Sequence, residues 1–276
     1  MAAAEMPFAN VTEHLLRLAP GRNGRLALVD DAAGVIVSYS RLAATVRAAA
    51  AGLARRGMRL GDVAGVHVAS ATRFVLASQA IRAAGGAPSP ICPSACPRAA
   101  ATQLTECDAR ILITDSCLAR RSVDIAERSR VRQVICFGDA SETVPFGALL
   151  GGGTMRSVHC QGDDLALIAV ASGPGGQPEL VRVTHREVAV QLQRLAPLAK
   201  LAAWDVIVTG PVHGDGRGYS ALLDLALAGG ATIVGTPSAS GPDLVAMARA
   251  RRGTVAFVPP GTELPDHNLR LITISP

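Results

Sequence analysis

Lysine is almost absent: of the 27 basic residues in this 276-residue chain only Lys200 is a lysine, and the rest are arginine. Any reaction that needs a lysine beside a particular loop therefore has one candidate to draw on. Aromatic residues are scarce too, at 3%, with one Trp, two Tyr and five Phe. The core must be built from Ala, Val, Leu and Ile, and few rings remain to stack on bases, so nucleic acid is not an expected partner. No apolar run approaches the roughly 20 residues of a membrane span, and the start MAAAEMPFANVTEHLL lacks the basic head and continuous apolar stretch of a secretory signal. A membrane is therefore not an expected partner either. The net charge of +5 is carried by arginines scattered singly or in pairs such as Arg55 and Arg56, Arg120 and Arg121, or Arg251 and Arg252, with no basic block. Six cysteines in so apolar a chain read as buried or free thiols of a cytoplasmic protein rather than a disulfide framework. Cys92 and Cys96 have no second Cys/His pair at a zinc-ligand spacing, so no metal site is expected.

What is present is a regular alternation of short apolar runs with helical patterns, which predicts an α/β fold of two doubly wound, mostly parallel sheets with flanking helices. Runs at 26–29 and 35–37 flank Asp30-Asp31-Ala32-Ala33-Gly34 and read as a hairpin. Strands are expected at 63–68, 87–91, 111–114 and 133–137, with helices at 41–56, 72–84 and from Pro97, a favourable first-turn residue. The polar, glycine-rich stretch 151–164 is the expected linker between two subdomains, 1–160 and 161–276. In the second, strands are expected at 165–171, 206–209, 232–234, 255–258 and 269–274, with helices at 219–228 and 243–251. A further helix starts near Thr184, where Thr184 and Glu187 have the spacing of a reciprocal capping box.

The segment 171–185, ASGPGGQPELVRVTH, has the frame of a glycine-rich anion-gripping loop passing into a helix N-terminus. Such sites commonly add a lysine for the phosphate charge, yet the residue there is Glu179. The order of Ser38-Tyr39-Ser40-Arg41-Leu42, Ala51-Gly52-Leu53, Gly61-Asp62-Val63, Arg82-Ala83-Ala84-Gly85-Gly86 and Pro90-Ile91-Cys92-Pro93 resembles the N-terminal domain of the adenylate-forming acyl- and aryl-CoA ligases. The coumarate-CoA ligase branch looks nearest. The segment matches that family's SSGTTGLPKG loop, followed by a short strand and Thr-His, without a gap, agreeing at Ser172, Gly173, Gly176, Pro178, Thr184 and His185. It departs at Pro174, Gly175, Glu179 and Leu180, the phosphate-handling positions, and Pro174 removes both a hydroxyl and a backbone donor. Pro211-Val212-His213, followed by Gly214-Asp215-Gly216-Arg217-Gly218-Tyr219, resembles the family's Pro-x-x-His loop beside the acyl pocket. The chain reaches Ser275-Pro276 where the family continues to further nucleotide-binding motifs, and so reads as a truncated, incomplete N-terminal domain.

The resemblance implies a nucleotide frame at Ser172, Gly173, Gly175, Gly176, Glu179 and Thr184, from which ATP and Mg binding is expected to have been lost. Three functions are consistent with this. One is a pseudoenzyme that binds a small acyl or aromatic ligand or a companion protein, with a homodimer favoured by an uncovered sheet edge. A second is an ATP-independent enzyme on an acyl or aryl acid or thioester, with His213, Asp215, His185 and Tyr219 as acid/base candidates. The third is half of a split ligase completed by another chain.

Overall fold

The protein is represented by a computed structural model describing residues 10–17, 20–22, 24–172, 178–212, 216–259, 261–265 and 267–273. A short helix α1 (Val11–Arg17) precedes a hairpin, β1 (Leu26–Asp30) and β2 (Val35–Ser38), whose turn is tied by the Ala33 N–H donating to Asp30 Oδ1 at 2.9 Å. Ser38 caps α2 (Tyr39–Arg55), and Leu42, Val46, Ala49, Ala50 and Leu53 form its buried stripe at helical spacing. There follow β3 (Val63–His67), α3 (Ala71–Ala83), β4 (Ala87–Pro90), α4 (Pro97–Glu106), β5 (Ile111–Asp115), α5 (Ala119–Glu127), β6 (Gln133–Phe137), β7 (Val144–Pro145) and α6 (Gly147–Leu150). The remaining elements are β8 (Leu165–Ser172), β9 (Pro178–Thr184), α7 (His185–Ala199), β10 (Val206–Thr209), α8 (Arg217–Gly229), β11 (Thr232–Gly235), α9 (Gly241–Arg251), β12 (Val255–Val258) and β13 (Arg270–Thr273).

One sheet has the order β4-β3-β5-β6-β7 and is parallel throughout. The other has the order β13-β12-β10-β11-β1-β2, parallel except for the β1–β2 pair. β8 and β9 form a separate antiparallel hairpin beside β4. The two doubly wound, mostly parallel sheets are thus present. The sheets do not follow the division at 160, however. The opening hairpin, at 26–38, pairs with β11 of the second half, because a buried, apolar β1 (Ala27, Leu28, Val29) finds its parallel neighbour there.

Two helices occupy the interior. Every residue of α3 but Arg73 is buried, and ten of the thirteen residues of α8 are buried. Neither has a polar face, as expected of helices enclosed on all sides. α3 packs on strands of both sheets, and its alanines at 71, 77, 80 and 83 permit close approach. The two helices meet at Phe74 and Tyr219, edge to face with centroids 5.5 Å apart, and at a buried ion pair. Arg82 Nη1 and Nη2 each donate at 2.7 Å to the two carboxylate oxygens of Asp224, with both side chains no more than 2% exposed. Gln79 Nε2 donates to Asp224 Oδ1 at 2.7 Å, Thr12 Oγ1 donates to Gln79 Oε1 at 2.7 Å, and Asn10 Nδ2 donates to the Arg82 carbonyl at 3.2 Å. This chain of bonds also fastens α1 to the interior.

Removing one charge of a buried pair leaves the other uncompensated. Arg82→Met and Asp224→Leu should each lower stability by about 3–5 kcal/mol, while the double variant should lose far less than the sum. Urea unfolding of the three variants checks this, and strictly additive losses would contradict the coupling.

Candidate functional site

Ser172 ends β8 and Pro178 opens β9, so the glycine-rich segment joins the two arms of a hairpin, with Ala171 opposite Glu179 and Ser172 opposite Pro178. Gly173, Pro174, Gly175 and Gly176 lie outside the described residues. The short strand expected between this loop and Thr184 is present as the seven-residue β9. Five residues separate Glu179 from Thr184, about 17 Å of extended chain, so the α7 N-terminus and the loop do not form one anion site. The reason is in the sequence. Leu180, Val181 and Val183 alternate with more polar residues, and the buried or half-buried ones pack beside β8.

Thr184 is the N-cap of α7. Its Oγ1 accepts from the Glu187 N–H at 3.2 Å, and Glu187 Oε2 accepts from the Thr184 N–H at 2.7 Å. The capping box is complete, and both groups are used within the helix end. Glu179 is exposed at the start of β9. Lys200 lies at the far end of α7, where its carbonyl accepts from Arg270 Nη1 at 3.1 Å at the start of β13. That is the end of the six-stranded sheet opposite Pro211, which follows the carboxyl end of β10.

Of the acid/base candidates, His213 and Asp215 lie outside the described residues. His185 is fully buried, and its Nδ1 accepts from the Val11 N–H at 3.3 Å. Burial, reinforced by the Arg82 cation and opposed by Asp164, pushes its pKa down to about 4. Tyr219 is also fully buried, its hydroxyl donates to the Gly210 carbonyl at 2.7 Å, and burial raises its pKa. Both side chains are enclosed by packing, which removes them as solvent-accessible acid/base groups. Tyr219 instead ties α8 to the residue that follows β10. Next to it, Gly216 has φ +68°, and a Cβ there would lie 2.8 Å from Pro90 Cβ. Gly216, at the head of α8, therefore lies close against the end of β4.

A polar cluster at the carboxyl ends of β1, β3 and β5 was not foreseen. Ser70 Oγ donates to Asp30 Oδ2 at 2.5 Å, and the Ala69 N–H donates to Asp115 Oδ2 at 2.6 Å. Arg73 Nη1 donates to Asp115 Oδ1 at 2.8 Å. Burial raises the Asp115 pKa against the lowering pull of Arg73. Carboxyl ends of parallel strands are where open α/β sheets place ligands. The available signal was an acid closing an apolar strand in LALVD and in ILITD; positions 30, 70, 73 and 115 lie too far apart to be linked by local pattern.

Residues 17–262 match the family described as AMP-binding enzyme. The 4-coumarate–CoA ligase 3 of Oryza sativa subsp. japonica is 27% identical over 242 residues, covering 86% of this chain and 44% of that protein. The 4-coumarate–CoA ligase 2 of Solanum tuberosum is 29% identical over 167 residues, 59% of this chain and 30% of the relative. Among solved structures, a long-chain-fatty-acid–CoA ligase from Archaeoglobus fulgidus superposes with a TM-score of 0.81 at 20% identity, covering 91% of this chain and 52% of that one. A benzoate–CoA ligase from Burkholderia xenovorans gives 0.79 at 22% identity, with 96% and 55% covered. The chain thus spans about half the length of these proteins or less.

His67 is a second fully buried histidine, with Nδ1 2.8 Å from Ser122 Oγ and a pKa pushed down by burial to about 4. As pH falls below the ordinary histidine value of about 6.5, the unfolded chain takes up protons that the folded one refuses. Stability should then be full above about pH 6.5 and decline down to about pH 4, by on the order of 3 kcal/mol for each histidine. Denaturation midpoints between pH 7 and 4 check this, and His185→Gln should flatten the slope relative to the parent.

Proposed function

The chain belongs to the AMP-binding enzyme family, and from that membership we propose that it holds an acyl or aryl acid or thioester without activating it through ATP. The observation that carries this reading is Glu179, exposed on the first turn out of the glycine-rich hairpin, where the family pattern calls for a lysine. A carboxylate about 4 Å from a phosphate charge is repelled by about 1 kcal/mol in water-like surroundings and about 4 kcal/mol at an effective dielectric of about 20. This replaces an attraction of similar size. Lys200, at the opposite end of the sheet from Pro211, is badly placed to compensate. The residues present do not suit Mg-ATP, and no step through it is derived.

The acyl or aromatic ligand class rests on what the coumarate, benzoate and fatty-acid ligases are named for. The close approach of Gly216 to Pro90 is the supporting geometry. A homodimer or companion chain is part of the same reading, since β13 is the outermost strand of its sheet. In the alternative of an ATP-independent enzyme, the burial of His185 and Tyr219 leaves His213 and Asp215 to carry the acid/base work.

Calorimetric titration discriminates. Mg-ATP should give no binding heat with the parent chain, whereas an aryl acid or acyl thioester should. Glu179→Lys should gain measurable affinity for Mg-ATP. Binding of Mg-ATP by the parent would overturn the proposal.

A further inference from the structure

Seven large apolar side chains are exposed among the described residues, and four of them, Leu26, Leu198, Trp204 and Leu271, gather at one end of the six-stranded sheet. The gathering follows from topology. β1, β10, β11, β12 and β13 are parallel, so their amino ends share one edge of the molecule, and α7 returns to that edge before β10 begins. Leu198 and Trp204 are 77% and 78% exposed, the highest values of the seven. Leu198 is in the last turn of α7, and Trp204 is in the short connection that follows, closed by the Asp205 N–H donating to the Ala202 carbonyl at 3.0 Å. A monomer surface does not ordinarily leave a tryptophan and a leucine standing out together.

Among the described residues the exposed charges around Leu198 and Trp204 are basic. Arg194 precedes Leu198 by four residues on the same helix face, and Lys200 caps that helix, both exposed. Arg25 reaches across to the Ala203 carbonyl, and Arg270 donates to the Lys200 carbonyl at 3.1 Å. Donating to a carbonyl leaves the Arg25 guanidinium its full charge, whereas that of Arg270 is offset by an ion pair. The acid in this segment, Asp205, is buried and held by Arg270 Nη2 at 3.0 Å and Thr254 Oγ1 at 2.7 Å. Beside it, a cleft of about 310 Å³ opens between the end of α9 and the residues before β13, lined by Arg249, Arg252, His267 and Asn268 over Val245 and Leu269.

We propose that this end of the protein docks on an anionic phospholipid bilayer, with Trp204 and Leu198 entering the interface and the basic rim facing lipid phosphates. Charge complementarity selects the occupant: exposed tryptophan and leucine ringed by Arg and Lys suit the headgroup–acyl boundary of an anionic leaflet. The absence of a helix long and apolar enough to cross a membrane among the described residues is no obstacle, because such a surface lies on a bilayer without spanning it. Docking here leaves the carboxyl ends of the strands, with the candidate ligand site, facing away from the lipid, so the proposal stands independently of the ligand reading.

The chain carries its own reporter, since Trp204 is its only tryptophan. The full chain is to be sedimented with vesicles of phosphatidylcholine alone and with vesicles containing about a third phosphatidylglycerol, while tryptophan emission is recorded. Pelleting and a blue shift are expected with the anionic vesicles only, and both should fall as salt screens the rim. Lys200→Glu and Leu198→Asp, each with unchanged far-ultraviolet circular dichroism, should weaken binding about tenfold. Absence of pelleting and shift at low salt, equal binding to neutral vesicles, or undiminished binding by both variants would overturn the proposal. So would a blue shift that tracks protein concentration without vesicles, which would assign the surface to a second copy of the chain.

Discussion

The contact between Arg82 and Asp224 is the constraint to which the rest of the structure is fitted. Taking two charges out of water costs several kcal/mol per ion, and only good geometry with further hydrogen bonds recovers it. Both requirements are met: the guanidinium and carboxylate form two bonds of 2.7 Å, and Gln79 adds a third donor to Asp224. Such a pair is satisfied in one arrangement only. It fixes α3, which leads into β4 of one sheet, against α8, which leads into β11 of the other, and thereby sets how the two sheets face each other. Thr12 and Asn10 extend the network to α1. The Arg82 cation also disfavours a charge on His185, whose ring receives the Val11 N–H. A histidine that resembled a site residue is therefore part of the fastening of the N-terminal helix.

Much of this fold was legible because its elements are short and sharply punctuated. Thr184 caps α7 as its spacing to Glu187 implied, and Pro97 opens α4. β6, β10 and β12 span the residues that their apolar runs suggested. The pairing was not legible. Nothing local says that β1 adds to β11 rather than to the nearer strands of its own half, because the choice depends on which buried apolar surface remains unpaired after the parallel sheet at 63–145 has closed. β9 was legible through the family pattern, which sets a short strand between the glycine-rich loop and Thr184, and Val181 and Val183 alternate there with Arg182 and Thr184.

That strand changes the physical meaning of the loop. A phosphate loop that opens directly into a helix adds the helix dipole and free amides to its own. Here the first α7 amides donate to the Asp164 and Gly162 carbonyls and to Thr184 Oγ1, about 17 Å along the chain from Glu179, so charge at the hairpin itself weighs more. A glutamate in that position acts without a nearby helix terminus to offset it, and the proposed loss of ATP use needs no other change in backbone.

Two glycines show how tightly the carboxyl ends of the strands are packed. Gly216 takes a left-handed conformation against Pro90, and a Cβ at Gly235 would stand 2.7 Å from Asp30 Oδ2, which also holds Ser70 at the head of α3. Neither position tolerates a side chain without moving a strand end. Glu179, by contrast, is exposed and packs on nothing that would resist substitution. The carboxyl ends of the sheet are thus constrained by sterics and buried hydrogen bonds. At the amino ends the buried Asp205 is held in the same way, but Trp204 and Leu198 stand outside that network, exposed, and the proposed bilayer contact is what would give them a role.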